Sequence, residues 1–163
     1  MINRLDHKIN HKYTIEFVRL QNPSHVKALL KLDGIYDYFK DDGGIEFENF
    51  IPNIENDHWY AGMQDDQIVG VFLLRQLNPI LAEAHFALTE RFRGRRNGYK
   101  YIEQFFRYAS KKTNFKTVIG FVPEHRKAMI DVCNRITTNV GFIPNFQVWG
   151  KKVMGVHIFQ RQL

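Results

Sequence analysis

Two apolar runs, Ile80 to Leu88 and Thr117 to Val122, flank a stretch from Gly98 onward in which Ile102, Phe105, Phe106 and Ala109 recur at helical spacing. Strand, helix, strand in that order is a crossover unit, which makes the two strands parallel members of one sheet. An α/β layered fold follows, because parallel strands are stable under covering helices. The unbroken apolar character of Thr117 to Val122 predicts a strand covered on both faces. Between the first run and the helix stands a basic turn holding Arg91, Arg93, Arg95, Arg96 and Lys100 with Gly94 and Gly98. A helix N-terminus presents unpaired N–H groups and a partial positive charge, so glycines that admit a phosphate there make an anion site. The ligand expected at such a turn carries a pyrophosphate. The Gly-x-x-x-x-Gly-Lys-Ser/Thr loop is absent, and Gly94 and Gly98 do not complete Gly-x-Gly-x-x-Gly, which argues against a nucleotide triphosphatase and a Rossmann dehydrogenase.

The 163 residues are one domain's worth of chain, enough to bury a continuous core. With 14 Phe and 7 Tyr the sequence is rich in flat side chains that suit a half-covered sheet. The single cysteine, Cys133, excludes an internal disulfide and a zinc site built on paired cysteines. The seven histidines are scattered, and no metal site is expected. A net charge of +6 suits an acidic partner, either a phosphorylated cofactor or nucleic acid, and charge alone does not separate them. The longest apolar run, Ile68 to Leu74, is far short of the ~20 residues of a membrane helix, and no charged-then-apolar leader opens the chain. A cytoplasmic location is the expectation.

Residues 1 to 12 are polar and without period, the pattern of a loose tail. Ile15, Phe17, Val18 and Leu20 suggest a first strand within Tyr13 to Leu20, and Asn22-Pro23-Ser24 starts a helix that turns Val26, Leu29 and Leu30 inward. Asp41 to Gly44 breaks the chain, and Phe47, Phe50 and Ile51 predict a second short helix within Ile45 to Ile54. His58 to Met63 and Ile68 to Leu77, joined by a polar turn, form a hairpin, after which Asn78-Pro79 leads into the strand Ile80 to Leu88. Beyond the crossover, a helix opens at Pro123-Glu124, presents Met129, Val132, Cys133 and Ile136 on one face, and ends near Asn139 to Gly141. Phe142 to Trp149 and Val153 to Gln160 close the chain as a hairpin. No internal repeat or low-complexity segment is visible.

Strand, two helices, three strands, helix, strand, helix, two strands is an order that resembles the GCN5-related N-acetyltransferase (GNAT) superfamily. Its signature, Arg/Gln-x-x-Gly/Ala-x-Gly/Ala, lies at the turn after the fourth strand, where this chain has Arg93-Gly94-Arg95-Arg96-Asn97-Gly98. Gly141-Phe142 is similar to the Gly-Phe pair that commonly opens the family's sixth strand. The resemblance implies an α/β GNAT fold over residues 13–163, with a mixed central sheet of about seven strands flanked by four helices.

It also implies an acetyl-CoA-dependent N-acetyltransferase acting on an amine acceptor. Carried over by position, Phe86, Ala87 and Leu88 would line the pantetheine arm, and Arg93, Gly94, Arg95, Arg96, Asn97, Gly98 and Tyr99 would hold the phosphates. His125 stands where many members have an Asn that touches the cofactor. Arg96 replaces the usual Gly or Ala, so its side chain must point outward or close over a phosphate. The Tyr that many members use as general acid has no match, since Val132 or Cys133 holds its place, and Cys133 at helical spacing with Met129 and Ile136 reads as core. The fifth-strand carboxylate of some members has no counterpart near Gly120.

The transfer needs a neutral amine and hence a base. Glu83 and His85, two apart on the fourth strand, share a face beside the expected thioester and are the catalytic candidates, against the reading of a polar, half-exposed strand face. Trp59, Tyr60 and Trp149 read as packing, with Trp59 or Tyr60 able to line an acceptor pocket. Two further readings stay open. One is a relative of the fold without chemistry that serves as a binding or assembly protein, as small members in tailed phages linked with head assembly do. The other is a nucleic-acid module using the arginine turn, which the lack of interleaved aromatics and of a helix-turn-helix signature argues against.

Overall fold

The computed structural model describes residues 14–40, 45–93, 98–149 and 151–163. The expected tail 1–12, the break Asp41 to Gly44 and the turn residues Gly94, Arg95, Arg96 and Asn97 lie outside the described residues. In chain order the elements are β1 (Glu16–Leu20), α1 (Pro23–Leu30), α2 (Tyr36–Phe39), β2 (Asp57–Gln64), β3 (Gln67–Asn78), β4 (Leu81–Leu88), α3 (Gly98–Lys112), β5 (Thr117–Pro123), α4 (Lys127–Ile136), β6 (Thr138–Trp149) and β7 (Lys152–Gln162).

Local chemistry sets most of these boundaries. The Asn22 side chain accepts from the Ser24 N–H at 2.8 Å, and Pro23 fills the first helical position, where a missing N–H costs nothing. Asp65 and Asp66 both take positive φ, 49° and 60°, the pair that a tight two-residue hairpin turn requires. The Asn78 side chain accepts from the N–H groups of Ile80 and Leu81, turning β3 into β4.

The seven strands form one sheet in the order β1-β2-β3-β4-β5-β7-β6, in which β4 and β5 are the parallel pair. On one face α3 lays Ile102, Phe105, Phe106 and Ala109 against Phe17, Phe72 and Val118. On the other, α1 and α2 cover β2 to β4, with Val26, Leu30 and Tyr36 packed on Trp59, Val71, Leu73 and Ala87. A smaller cluster under α4 joins Val122, Cys133 and Phe159. No described helix is long and apolar enough to cross a membrane.

The β4–β5 ladder has three rungs, Leu81↔Thr117, Ala82↔Val118 and Glu83↔Ile119, and then stops. Beyond it β4 stays paired to β3 as far as Leu88, and β5 stays paired to β7 as far as Pro123. The two strands therefore diverge as a fork that opens toward their C-terminal ends.

Three expectations need correction. Ile45 to Ile54 is not a helix; one 3₁₀ turn, Phe47–Asn49, is all that forms. Phe47 and Phe50 instead set their rings 5.2 and 5.1 Å from that of Tyr36, and the second α-helix is α2, upstream of the break. The helix expected from Pro123 to about Asn139 is shorter at both ends. Pro123 still pairs with Val156, and the Glu124 N–H reaches the Gly155 carbonyl, so the strand runs on. At the other end Thr137 is already extended, its hydroxyl donating to the Cys133 carbonyl at 2.6 Å, and Gly141-Phe142 lies inside β6 rather than at its start. Finally, β5 is covered on one face: Val118 and Val122 are buried, while the apolar Ile119 and Phe121 between them are only half-buried.

Candidate active site

At the closed end of the fork stand Glu83 and His85. Alternation puts both on the α1–α2 face of β4. Glu83 Oε1 lies 2.9 Å from His85 Nε2, ion-pair distance but out of line for a straight hydrogen bond. The side chains keep 17% and 31% of their surface exposed, so a small molecule can reach them. The His85 contact holds the Glu83 carboxyl below its usual value, burial opposes it, and Arg75 adds a smaller pull in the same direction as His85. Arg75 is the register partner of Glu83 on β3, and its Nε donates at 3.2 Å to the buried Asp57 on β2. Phe39, at the end of α2, sets its ring 6.2 Å from the His85 ring and 5.6 Å from Trp59.

At the open end of the fork lie the exit of β4, with Arg91 and Arg93, and the start of α3. The start of α3 adjoins the end of β4, since a Cβ on Gly98 would lie 3.4 Å from Leu88 Cδ1. The first N–H groups of α3 thus come to the mouth of the fork, the place where α/β sheets take anionic ligands. Gly98 is buried and Tyr99 half-buried. Arg93 is held by the fold itself: its guanidinium donates to the Leu88 and Asp33 carbonyls, both at 3.1 Å, and lies 4.4 Å from the centre of the Tyr38 ring. The Arg126 guanidinium lies 5.4 Å from the same ring, so Tyr38 gathers the turns before α3 and before α4 around α2.

The structure brings Glu83, His85, Phe86, Ala87, Leu88, Arg93, Gly98 and Tyr99 together along β4 and its exit. Ala87 points into the α1–α2 core, while Phe86 packs toward α3 and α4. His125 lies in the turn that follows β5, held below its ordinary value first by burial and then by Arg126. Glu124 beside it accepts from the Gly155 N–H at 2.9 Å, fixing that turn to β7. Cys133 is buried under α4 and its thiol is pushed up to about 12, which leaves it a packing residue. Trp59 and Tyr60 are buried, and the Trp59 indole N–H donates to the Asn53 carbonyl. The Trp149 side chain lies outside the described residues. Among the described residues no cluster of three His, Cys, Asp or Glu side chains could hold a metal ion.

Phe39, Tyr38 and Arg126 border the candidate site, and Phe121 stands half-buried on β5; sequence reasoning named none of them for it. Phe39 and Tyr38 carry no local signal, because only the folding of α2 over β4 brings them there. Phe121 was legible as apolar but not as half-uncovered.

No curated protein matches the sequence. Among solved structures, spermidine N-acetyltransferase from Vibrio cholerae with CoA and spermine superposes with a TM-score of 0.73 at 11% identity, over 91% of this chain and 95% of that one. A RimL ribosomal L7/L12 alpha-N-protein acetyltransferase with coenzyme A gives 0.72 at 14% identity, over 92% and 94%. A putative phosphinothricin N-acetyltransferase gives 0.71 at 14%, over 92% and 99%. Identities this low establish the fold, which is that of the GNAT acetyltransferases. A family model described as "Protein of unknown function (DUF2824)" matches residues 31–162; the chain is a member of the DUF2824 family, built on the GNAT fold.

Proposed function

We propose that this protein binds acetyl-CoA in the β4–β5 fork and transfers the acetyl group to an amine. The observation that carries the reading is the fork itself, with three rungs at its base, the start of α3 at its mouth and the Glu83–His85 pair on its wall. The cofactor would supply an acyl thioester. The edge of β4 from Ala84 to Leu88, released from β5, can bond an amide-bearing arm as an added strand would, along Phe86, Ala87 and Leu88. Gly98 and Tyr99 bring backbone N–H groups, and Lys100 a cation, to a pyrophosphate, with Gly94, Arg95, Arg96 and Asn97 of the same turn beside them in sequence.

The chain's own chemistry is proton removal. When its ring is neutral, His85 offers one nitrogen lone pair, and the ionised Glu83, 2.9 Å from Nε2, balances the charge the ring acquires on taking a proton from an ammonium. His125 and Arg126 border the mouth from the β5 side. A second reading, a cofactor-binding or assembly protein without turnover, draws on Cys133: Val132 or Cys133 holds the place of the family's general-acid Tyr, and the Cys133 thiol is buried and protonated.

Acetyl-CoA at a hundredfold excess over its Kd is expected to raise the melting temperature by ~5–10 °C, the equivalent of about 2.7 kcal/mol of mass action. Gly98→Asp, which sets a carboxylate at the start of α3, is expected to abolish the shift, and Gly98→Ala to keep it. An unchanged melting temperature for the parent protein at millimolar acetyl-CoA removes the cofactor claim. A shift without turnover on a panel of amines selects the second reading.

A further inference from the structure

The apolar side chains that β5 leaves half-bare lie beside the proposed site, and β6 adds an aromatic ring to them. His85 and Phe121 each stand two residues past the last rung of the fork, on β4 and β5 respectively, and alternation puts them on the same face. On β6 the stretch from Ile143 to Gln147 is opposed on β7 only by Val156 to Met154, so the chain bulges. Pro144 has no N–H to give the ladder, and Asn145 takes φ of 52°, the left-handed conformation that Asn tolerates better than most residues. The bulge delivers Phe146 across β7 onto Phe121, ring centres 5.6 Å apart and planes within 7° of parallel. Phe146 remains 48% exposed. Ile119 and Ile158 extend the apolar floor, and Gln160 and Gln147 give it neutral polar edges.

Charge narrows the occupant. Alternation puts one charged side chain on this face of the described parts of β5, β6 and β7, Lys152 at the far end of β7, while Glu83 is the carboxylate at the fork. Asp57, in register through Arg75, is committed to the Arg75 guanidinium, which leaves Glu83 as the carboxylate that matches one ammonium. A polyamine needs several carboxylates spaced along its length, and Lys152 would repel its far end. A flat hydrocarbon body, in contrast, gains stacking on a ring already held parallel to a second.

Resting on the acetyl-transfer reading, we infer that the acceptor is a primary amine carried on an aromatic body, its ring docked against Phe121 and Phe146 and its amine beside Glu83 and His85.

Calorimetric titration of 2-phenylethylamine, n-butylamine and spermidine into the acetyl-CoA-saturated protein reads docking, and release of free CoA thiol reads transfer. The expected result is about a tenfold preference for 2-phenylethylamine over n-butylamine and over spermidine, in Kd and in kcat/KM. Phe146→Ala is expected to remove that preference by raising KM for 2-phenylethylamine with kcat kept, and Phe146→Leu, apolar but without a flat face, to restore it only in part. Phe146 is exposed, so both variants fold. Docking of 2-phenylethylamine without thiol release keeps the aromatic-amine site but overturns acetyl transfer, and with it the acceptor role. Transfer to spermidine or n-butylamine that equals or exceeds transfer to 2-phenylethylamine overturns the inference and leaves acetyl transfer standing. A preference that survives Phe146→Ala also overturns it.

Discussion

Phe105→Ala is expected to lower the free energy of unfolding by about 3–5 kcal/mol, read as a fall in the urea midpoint at constant slope. Phe105 is fully buried on α3, with ring centres of Phe17, Tyr60 and Phe72 at 5.2, 5.4 and 4.8 Å. Removing it withdraws the wedge between α3 and the sheet, and rings on three different elements cannot collapse together into the space. A domain of this size holds only about 5–15 kcal/mol in total, so the variant stands near the threshold of folding. Ile51→Ala, at a position 82% exposed, is expected to stay within about 0.5 kcal/mol. Equal effects for the two substitutions would contradict the packing described for the α3 face.

Glu83→Gln and His85→Ala are each expected to cut kcat on the order of 10²-fold, the share of a general base, while leaving the acetyl-CoA thermal shift in place. Neither side chain lies at the α3 end of the fork, so cofactor affinity is the internal control. Because the two act through one contact, the double variant should lose little more than either single one. Stability carries a signature of its own. The Glu83 carboxyl is held below its usual value in the fold, so its contribution is complete above about pH 4.5 and fades as pH falls through the lowered value. Glu83→Gln should flatten that part of the stability curve. A rate and a pH profile indifferent to both substitutions would return the pair to the scaffold.

The crossover was legible because it rests on two strong signals, continuous apolar strands and a helix with one apolar face, and the order of elements followed from it. The hairpin at Asp65-Asp66 and the start of α1 were legible because short polar side chains act on neighbouring backbone. Phe47 and Phe50 misled because helical spacing records only that residues are buried; their rings insert around Tyr36 from an irregular segment. Pro144-Asn145 was a readable bulge signal inside the run Phe142 to Trp149, and taking the run as plain strand hid Phe146. At the site, β4 was found from the sequence because one strand carries Glu83, His85 and the exit to α3. Arg93 was read as a phosphate ligand from its position, and the structure commits its guanidinium to two carbonyls and Tyr38. Such a brace needs α2 and β4 in contact, which nothing local encodes.

The three-rung junction also bears on how the chain assembles. On one side of it β2, β3 and β4 pair in sequence-neighbouring hairpins with β1 added across α1 and α2, and on the other β6 and β7 form a hairpin with β5 added. The clusters of buried rings and methyls cross the junction: Val118 of β5 belongs to the one under α3, and Phe86 of β4 packs on the one under α4. The hairpin pairings form early, whereas β1–β2, β5–β7 and the parallel seam across α3 each join residues far apart in sequence and must wait for loop closure. The seam is then among the late contacts to form, and because the buried core spans it, it closes together with the packing of α3 and α4 on the sheet. Glu83 sits on the final rung, so the candidate site exists only once the seam has closed, and a chain arrested one step short of its native state would lack it.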